Sequence, residues 1–305
     1  MRMKGPDFLL IREIGAGLWN EMHHILAQLL AAEILNRVPV IYWGKGSLYA
    51  ANDGSNAFEQ FFMPVSDFSI QDLAKQEYSF FPGRWNSDNI LMPNRDNGKT
   101  AIEDLAVSSA DVCVADSFIE PESLILKIPE GHRFYGLNRR ELFNRLISKY
   151  IRLKEDAERA IYDFYNRNMS SSLFLAVHIR SSDKANEVRH LHELNERYPA
   201  EIEKVLASNP GIRIFLMTDC IDILEEYKKR YGDLLIHTDC RRVPGNGPGV
   251  HFHDFHDNRQ KGLEIILDTW LAAKCDYFIG NGHSNVSLAV TELKNWEKNR
   301  ITLLY

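Results

Sequence analysis

The sequence has few cysteines, no excess of positive charge and no long uninterrupted hydrophobic run. Its four cysteines, Cys113, Cys220, Cys240 and Cys275, are widely separated and form no CxxC pair, which argues against a disulfide framework. The formal net charge is −6, so the chain lacks the excess of Lys and Arg that neutralises nucleic-acid phosphates. We therefore expect a globular protein that does not bind nucleic acid.

The most apolar stretch, residues 25–43, is interrupted by Glu33, Asn36, Arg37 and Pro39. A transmembrane helix needs about 20 consecutive, mostly apolar residues, and the N-terminus has no apolar region typical of a signal peptide. The sequence therefore predicts no integral membrane segment and a cytoplasmic location, with peripheral membrane attachment left open.

Hydrophobic patterns predict an α/β fold. A strand at 8–12, a glycine turn, a helix at 19–36 and a strand at 38–43 form a βαβ unit. Residues 47–127 favour loops and short helices, and residues 139–167 favour two helices. In the second half, strands at 173–179, 212–218, 234–237, 276–279 and 301–304 alternate with helices, as in a doubly wound parallel sheet. Ligands bind such sheets at the carboxyl ends of the strands.

The segment His178-Ile179-Arg180-Ser181-Ser182-Asp183-Lys184 follows one of these strands directly. His178 and Arg180 are two residues apart and share a strand face, and an arginine fork suits a phosphate. Alternatively, Asp183 pairs with Arg180 or Lys184 in a surface loop. Spacing alone leaves both interpretations open.

Two glycine-containing loops are further candidates for binding a phosphate. Gly15-Ala16-Gly17 lies between a strand and a helix, where backbone N–H groups can approach an anion, although the motif alone favours a simple tight turn. The loop at 280–284 also precedes a helix, and Ser284 could cap that helix, donate its hydroxyl to a phosphate, or do both; capping alone is the default expectation.

An acidic residue and a histidine-rich segment complete the candidates. Asp268 lies in an apolar helix, where a buried carboxylate must be paired; it could accept from the N1–H and amino groups of guanine, or pair with Arg259. His251, His253 and Asp257 suggest a metal site, but no HExxH motif supports it and the preceding glycines favour a flexible loop.

Four segments together resemble the motifs of GT-B fucosyltransferases of the core α1,6 and nodulation types, which have more distant protein O-fucosyltransferase relatives. They are GAGLWNEMHH (15–24), HIRSSDK (178–184), IFLMTD (214–219) and GLEIILDTWLAAKCDYFIGNGHSNVS (262–287). The segments come in the family's order and reach across most of the chain.

The resemblance implies a GT-B-like α/β fold with two Rossmann-like domains and a donor cleft between them. Residues 1–150 would form the N-terminal, acceptor-side domain, and residues 151–305 the C-terminal domain that binds the nucleotide sugar. Arg180 would grip the β-phosphate of GDP. The donor-binding candidates are His178, Asp268, Ser284, Gly15, Gly17, Asn20 and His283.

The implied activity is an inverting, metal-independent transfer of fucose, or a related sugar, from a GDP-sugar to an oligosaccharide, polysaccharide or glycolipid acceptor, without a cofactor. The catalytic candidates are Arg180, Glu187, Asp183 and Lys184. The chain departs from the family twice: Ser181 replaces a second arginine, and Val188 stands where the family has its catalytic acid. Glu187, one residue earlier, is the candidate base, with Glu193 or Asp183 as substitutes.

Three other functions stay open. The chain could use a different nucleotide sugar, or bind a nucleotide sugar without transferring it. The third and weakest option is a metal hydrolase that uses His251, His253 and Asp257.

Overall fold

The computed structural model describes residues 6–93, 100–181, 190–245, 249–250 and 257–305. The chain divides into two compact units, Met1–Lys154 and Glu155–Tyr305. No helix in the described part of the chain is both long and apolar enough to cross a membrane. The cytoplasmic location and the division into an acceptor-side and a donor-side domain stay predictions.

The first unit contains a four-stranded sheet in the order β2-β1-β4-β3, and every pair of neighbours is parallel. Its strands are β1 Phe8–Arg12, β2 Val38–Tyr42, β3 Phe80–Phe81 and β4 Val112–Ala115, and its helices are α1 Leu18–Leu35, α2 Ile70–Leu73, α3 Ile102–Val107, α4 Pro121–Ile125 and α5 Arg139–Tyr150. The central strands β1 and β4 are buried along their whole length, as their continuous apolar sequences require.

The second unit contains a five-stranded parallel sheet in the order β7-β6-β5-β8-β9. Its strands are β5 Phe174–Ile179, β6 Arg213–Thr218, β7 Leu235–Ile236, β8 Tyr277–Asn281 and β9 Ile301–Leu304, and its helices are α6 Glu155–Asn168, α7 Leu191–Glu196, α8 Tyr198–Ser208, α9 Ile221–Tyr231, α10 Asn258–Lys274 and α11 Asn285–Leu293. Apolar side chains of β5 and β6, such as Val177 and Leu216, pack with Tyr198 and Ile202 of α8. The predicted doubly wound α/β fold is confirmed.

Three details differ from the sequence-based expectation. Residues 47–127 contain β3 and β4 in addition to loops and short helices. The helix expected within 191–208 is two helices that meet at Arg197, because Pro199 has no N–H and its ring would clash with the carbonyl four residues earlier in one continuous helix. The last helix ends at Leu293, not at Trp296, since Lys294 is already extended.

Candidate functional site

The order of the strands in the second sheet locates its binding crevice. From the central strand β5, the chain first builds β6 and β7 on one side and then returns to place β8 on the other. Such a reversal leaves a crevice at the carboxyl ends of the two strands that flank it. Here those ends are His178 to Arg180, after β5, and Asn281 to Ser284, after β8.

His178 is a buried, neutral hydrogen-bonding group at the end of β5. Its Nδ1 lies 2.7 Å from Oγ of Ser287, a residue of α11, and its carbonyl accepts from the Tyr198 hydroxyl at 2.7 Å. Burial, together with the nearby Arg180 charge, lowers the pKa of His178 to about 3. The ring therefore carries no charge near neutral pH. Gly280 faces it in the register of β5 and β8, and a Cβ there would lie only 2.7 Å from Ser287 Oγ.

Arg180 is fixed by an acid from the neighbouring strand. Its guanidinium donates to the carboxylate of Asp219, which directly follows β6, and the N–H of Ser181 donates to the same carboxylate at 3.0 Å. The Arg180 side chain keeps 16% of its surface exposed. Asp183 lies outside the described residues, and the ion pair that the structure describes is with Asp219 instead.

The loop after β8 leads directly into α11. Ser284 is the N-cap residue of this helix and is 5% exposed, but its side chain makes no capping hydrogen bond. The capping interpretation is therefore wrong for the Ser284 hydroxyl. The N-terminus of a helix favours an anion. His283 is exposed and packs edge-on against Tyr305, with ring centroids 5.4 Å apart.

Asp268 lies on α10 and is held by the segment that follows β7. The Thr238 hydroxyl donates to its Oδ1 at 2.5 Å, and Cys240 Sγ lies 3.6 Å from the same oxygen. Among the described residues nothing hydrogen-bonds to Oδ2, so one oxygen can take a ligand. Burial raises the pKa of Asp268 to about 6. The Arg259 alternative is wrong, because Arg259 pairs with Asp156.

In the first unit, a buried carboxylate organises the glycine loop. Glu21 on α1 accepts from the N–H groups of Ile14 and Ala16 at 3.0 to 3.1 Å. Gly15, between them, has φ +72°, which a glycine adopts without strain. These N–H groups are therefore already used inside the protein. Burial raises the pKa of Glu21 to about 7.

The two other candidates of the first unit's motif stand at the start of α1. Gly17 is its N-cap residue, and its carbonyl accepts from the N–H of Asn20 at 2.9 Å. Donor binding by Gly15, Gly17 and Asn20 stays a prediction.

Several candidates fall outside the described residues: Asp183, Lys184, Glu187, His251 and His253. Two of their proposed companions are described. Glu193 is exposed and lies 2.9 Å from the His190 ring, and Asp257 caps α10 by accepting from the N–H of Arg259 at 2.8 Å. In the described ranges no three His, Cys, Asp or Glu side chains form a group that could hold a metal ion.

Sequence reasoning missed three residues that shape these sites: Asp219, Ser287 and Glu21. Asp219 could be identified from the sequence as the acid that ends the motif 214–219, but its pairing with Arg180 could not. Ser287 and Glu21 stand on helices next to motif residues, and only the packed structure shows which groups they contact.

No family model matches the sequence. Nodulation protein Z of Sinorhizobium fredii is 23% identical over 265 residues, which cover 80% of this chain and 77% of that protein. Nodulation protein Z of Bradyrhizobium diazoefficiens is 22% identical over 273 residues, covering 81% and 68% of the two chains.

Solved fucosyltransferase structures align with this chain over most of its length. The NodZ alpha-1,6-fucosyltransferase soaked with GDP-fucose aligns with a TM-score of 0.63 at 20% identity, over 94% of this chain and 92% of the other. POFUT1 in complex with GDP-fucose aligns with a TM-score of 0.59 at 14% identity, over 100% and 99%. The resemblance carried by the four motifs is confirmed: this chain has the α/β fold of the GT-B fucosyltransferases.

Proposed function

We propose that the chain is an inverting, metal-independent glycosyltransferase that moves fucose, or a related sugar, from a GDP-sugar to a hydroxyl of a glycan. One observation carries the proposal. Arg180 and the N-terminal turn of α11, whose Ser284 hydroxyl is not used as a cap, follow adjacent strands, β5 and β8. A guanidinium and the N-terminus of a helix are both suited to phosphate oxygens.

The choice of donor rests on the structural neighbours and on Asp268. Two of the neighbours, NodZ and POFUT1, were solved with GDP-fucose. Asp268 has one oxygen held by Thr238, and it supports a guanine base because a carboxylate can accept from its N1–H and amino groups. His178, neutral near pH 7, would complete the guanine end of the site.

The proposed chemistry is a single displacement. A carboxylate takes the proton of the acceptor hydroxyl while its oxygen attacks the anomeric carbon and the bond to GDP breaks. Arg180 stabilises the charge on the departing diphosphate, the task that a metal ion performs in other transferases. Glu187, Asp183 and Glu193 remain the candidate bases, and Lys184 a further catalytic candidate.

Release of GDP from GDP-fucose tests this proposal. The assay would add chitooligosaccharide, polysaccharide and lipid-linked acceptors in turn, each with EDTA present. We expect acceptor-dependent GDP release that EDTA does not reduce, with the anomeric configuration of the sugar inverted in the product. A nucleotide-sugar-binding protein would bind GDP yet release none from the donor, and a metal hydrolase would be inactivated by EDTA.

A further inference from the structure

The segment from His237 to Gly245, called here the post-β7 loop, connects the two ends of the candidate donor site. At one end Thr238 holds Asp268. At the other end the N–H of Val243 donates to the carbonyl of Asp219 at 2.8 Å, and Asp219 is the acid that holds Arg180. The loop therefore runs from the candidate guanine carboxylate to the candidate phosphate-binding arginine.

Arg242 of this loop folds back toward Asp268. Its guanidinium donates to the carbonyls of Cys240, at 2.6 Å, and Thr238, at 3.0 Å, and both of these residues contact Asp268 Oδ1. The charge of Arg242 also acts on Asp268, where it opposes the effect of burial and lowers the pKa.

The Nε–H group of Arg242 is a hydrogen-bond donor that no described residue uses. In the described part of the chain Arg242 forms no ion pair, and its buried Nε atom has no hydrogen-bond partner. A buried donor without an acceptor is costly, so this side chain is prepared for a ligand atom that accepts. That atom would lie beside whatever Asp268 binds.

Guanine matches this pair of neighbouring groups. Its N1–H and 2-amino groups are donors, and the adjacent O6 is an acceptor, to which arginine donates readily. Adenine carries an amino donor at the same ring position and would leave the arginine donor unsatisfied. A carboxylate with a guanidinium nearby can therefore recognise the guanine edge, which presents two donors followed by an acceptor.

We propose that Arg242 is a specificity-determining residue of the donor site that donates a hydrogen bond to O6 of guanine. The inference rests on the proposed use of a GDP-sugar and deepens it. It assigns the selection of guanine to two residues on separate elements, Asp268 on α10 and Arg242 in the post-β7 loop.

Calorimetry with two diphosphates tests the inference. In 6-thioguanosine diphosphate a sulfur, which is a weak acceptor, replaces O6 and the other groups that bind Asp268 are kept. We expect the wild type to bind GDP about tenfold more tightly than the thio analogue, since one hydrogen bond to a charged donor separates them. Arg242→Met should weaken GDP by about tenfold and bring the ratio of the two dissociation constants close to one.

Arg241→Met serves as the matched control, because Arg241 is the exposed neighbour in the same loop, and it should keep the wild-type ratio. Arg242→Lys keeps a charged donor and should restore part of the ratio; it also replaces the Met variant if that variant does not fold. An unchanged ratio in the Arg242 variants, with GDP still bound by the wild type, overturns the inference alone. Failure of the wild type to bind GDP overturns the proposed function as well.

Discussion

At the scale of single residues, the ion pair between Arg180 and Asp219 links the ends of two neighbouring strands, and the Arg180 side chain stays partly exposed. Removing the guanidinium removes a charge-assisted contact of about 1.5 to 3 kcal/mol with the phosphate. We expect Arg180→Ala to weaken GDP binding by about 10- to 100-fold in a calorimetric titration.

Arg213→Ala is the control for Arg180→Ala. Arg213 opens β6 at the opposite, amino end of the same sheet, so its loss should leave the affinity for GDP unchanged. Equal losses in the two variants would show a general effect of charge and would remove Arg180 from the site.

The carboxyl group of Asp268 predicts a pH dependence of stability. Burial raises its pKa from 3.8 to about 6, so the stabilisation that its protonated form contributes is complete below pH 3.8 and is lost as the pH rises through 6. Asp268→Asn cannot ionise. Relative to wild type, it should gain about 2 kcal/mol of unfolding free energy between pH 4 and pH 8, while losing GDP affinity. Urea denaturation at pH 4, 6 and 8 measures the gain, and a pH-independent difference would contradict it.

At the scale of helices and strands, the outcome of prediction depended on the surrounding pattern. The βαβ unit at 8–43 and the strands of the second half were predictable because they alternate with helices and are bounded by turns. Strand β4 has only four residues, Val112–Ala115, and no alternation that separates it from a buried turn. Its place beside β1 is decided by tertiary pairing.

The candidate site was predictable only in part, for the same reason. The ends of β5 and β8 could be located from sequence, since motifs follow strands there. The partners of Arg180 and Asp268 could not be predicted, because Asp219 and Thr238 lie in segments that follow other strands, β6 and β7. No local pattern reports such contacts.

A substitution at the N-terminus of α11 can distinguish a capping role of Ser284 from a ligand-binding role. Because the Ser284 side chain makes no cap, Ser284→Ala should lower stability by less than about 0.5 kcal/mol yet weaken GDP binding. Asn138 is the matched control: it accepts from the N–H of Glu141 in a capping box at the start of α5, so Asn138→Ala should cost about 1 kcal/mol without affecting GDP. Thermal unfolding and calorimetry measure both effects. A Ser284→Ala variant that loses stability and keeps its GDP affinity would contradict the assignment.

The glycine loop of the first unit depends on Glu21. Glu21→Ala removes the acceptor for the N–H groups of Ile14 and Ala16, so hydrogen exchange of these amides should accelerate by about tenfold or more. Glu21→Gln keeps one acceptor oxygen and should retain part of the protection. Unchanged exchange in Glu21→Ala would show that the loop is held by other contacts.

At the scale of the whole molecule, each unit is built on its own parallel sheet. In the second unit, groups suited to a base and to a phosphate gather at the carboxyl ends of the strands. In the glycine loop of the first unit, the N–H groups of Ile14 and Ala16 already donate to the carboxylate of Glu21. We therefore predict that the nucleotide is recognised chiefly by the second unit.

Thermal unfolding with GDP, UDP, CDP and ADP, each with and without EDTA, tests the central claim most directly. A ligand at 100 times its dissociation constant stabilises by about 2.7 kcal/mol, which corresponds to about 5 to 10 °C for a unit of this size. The account predicts that GDP alone raises the unfolding temperature and that EDTA leaves the shift unchanged. A shift with UDP, or with none of the four, would contradict it and leave the resemblance as one of fold alone.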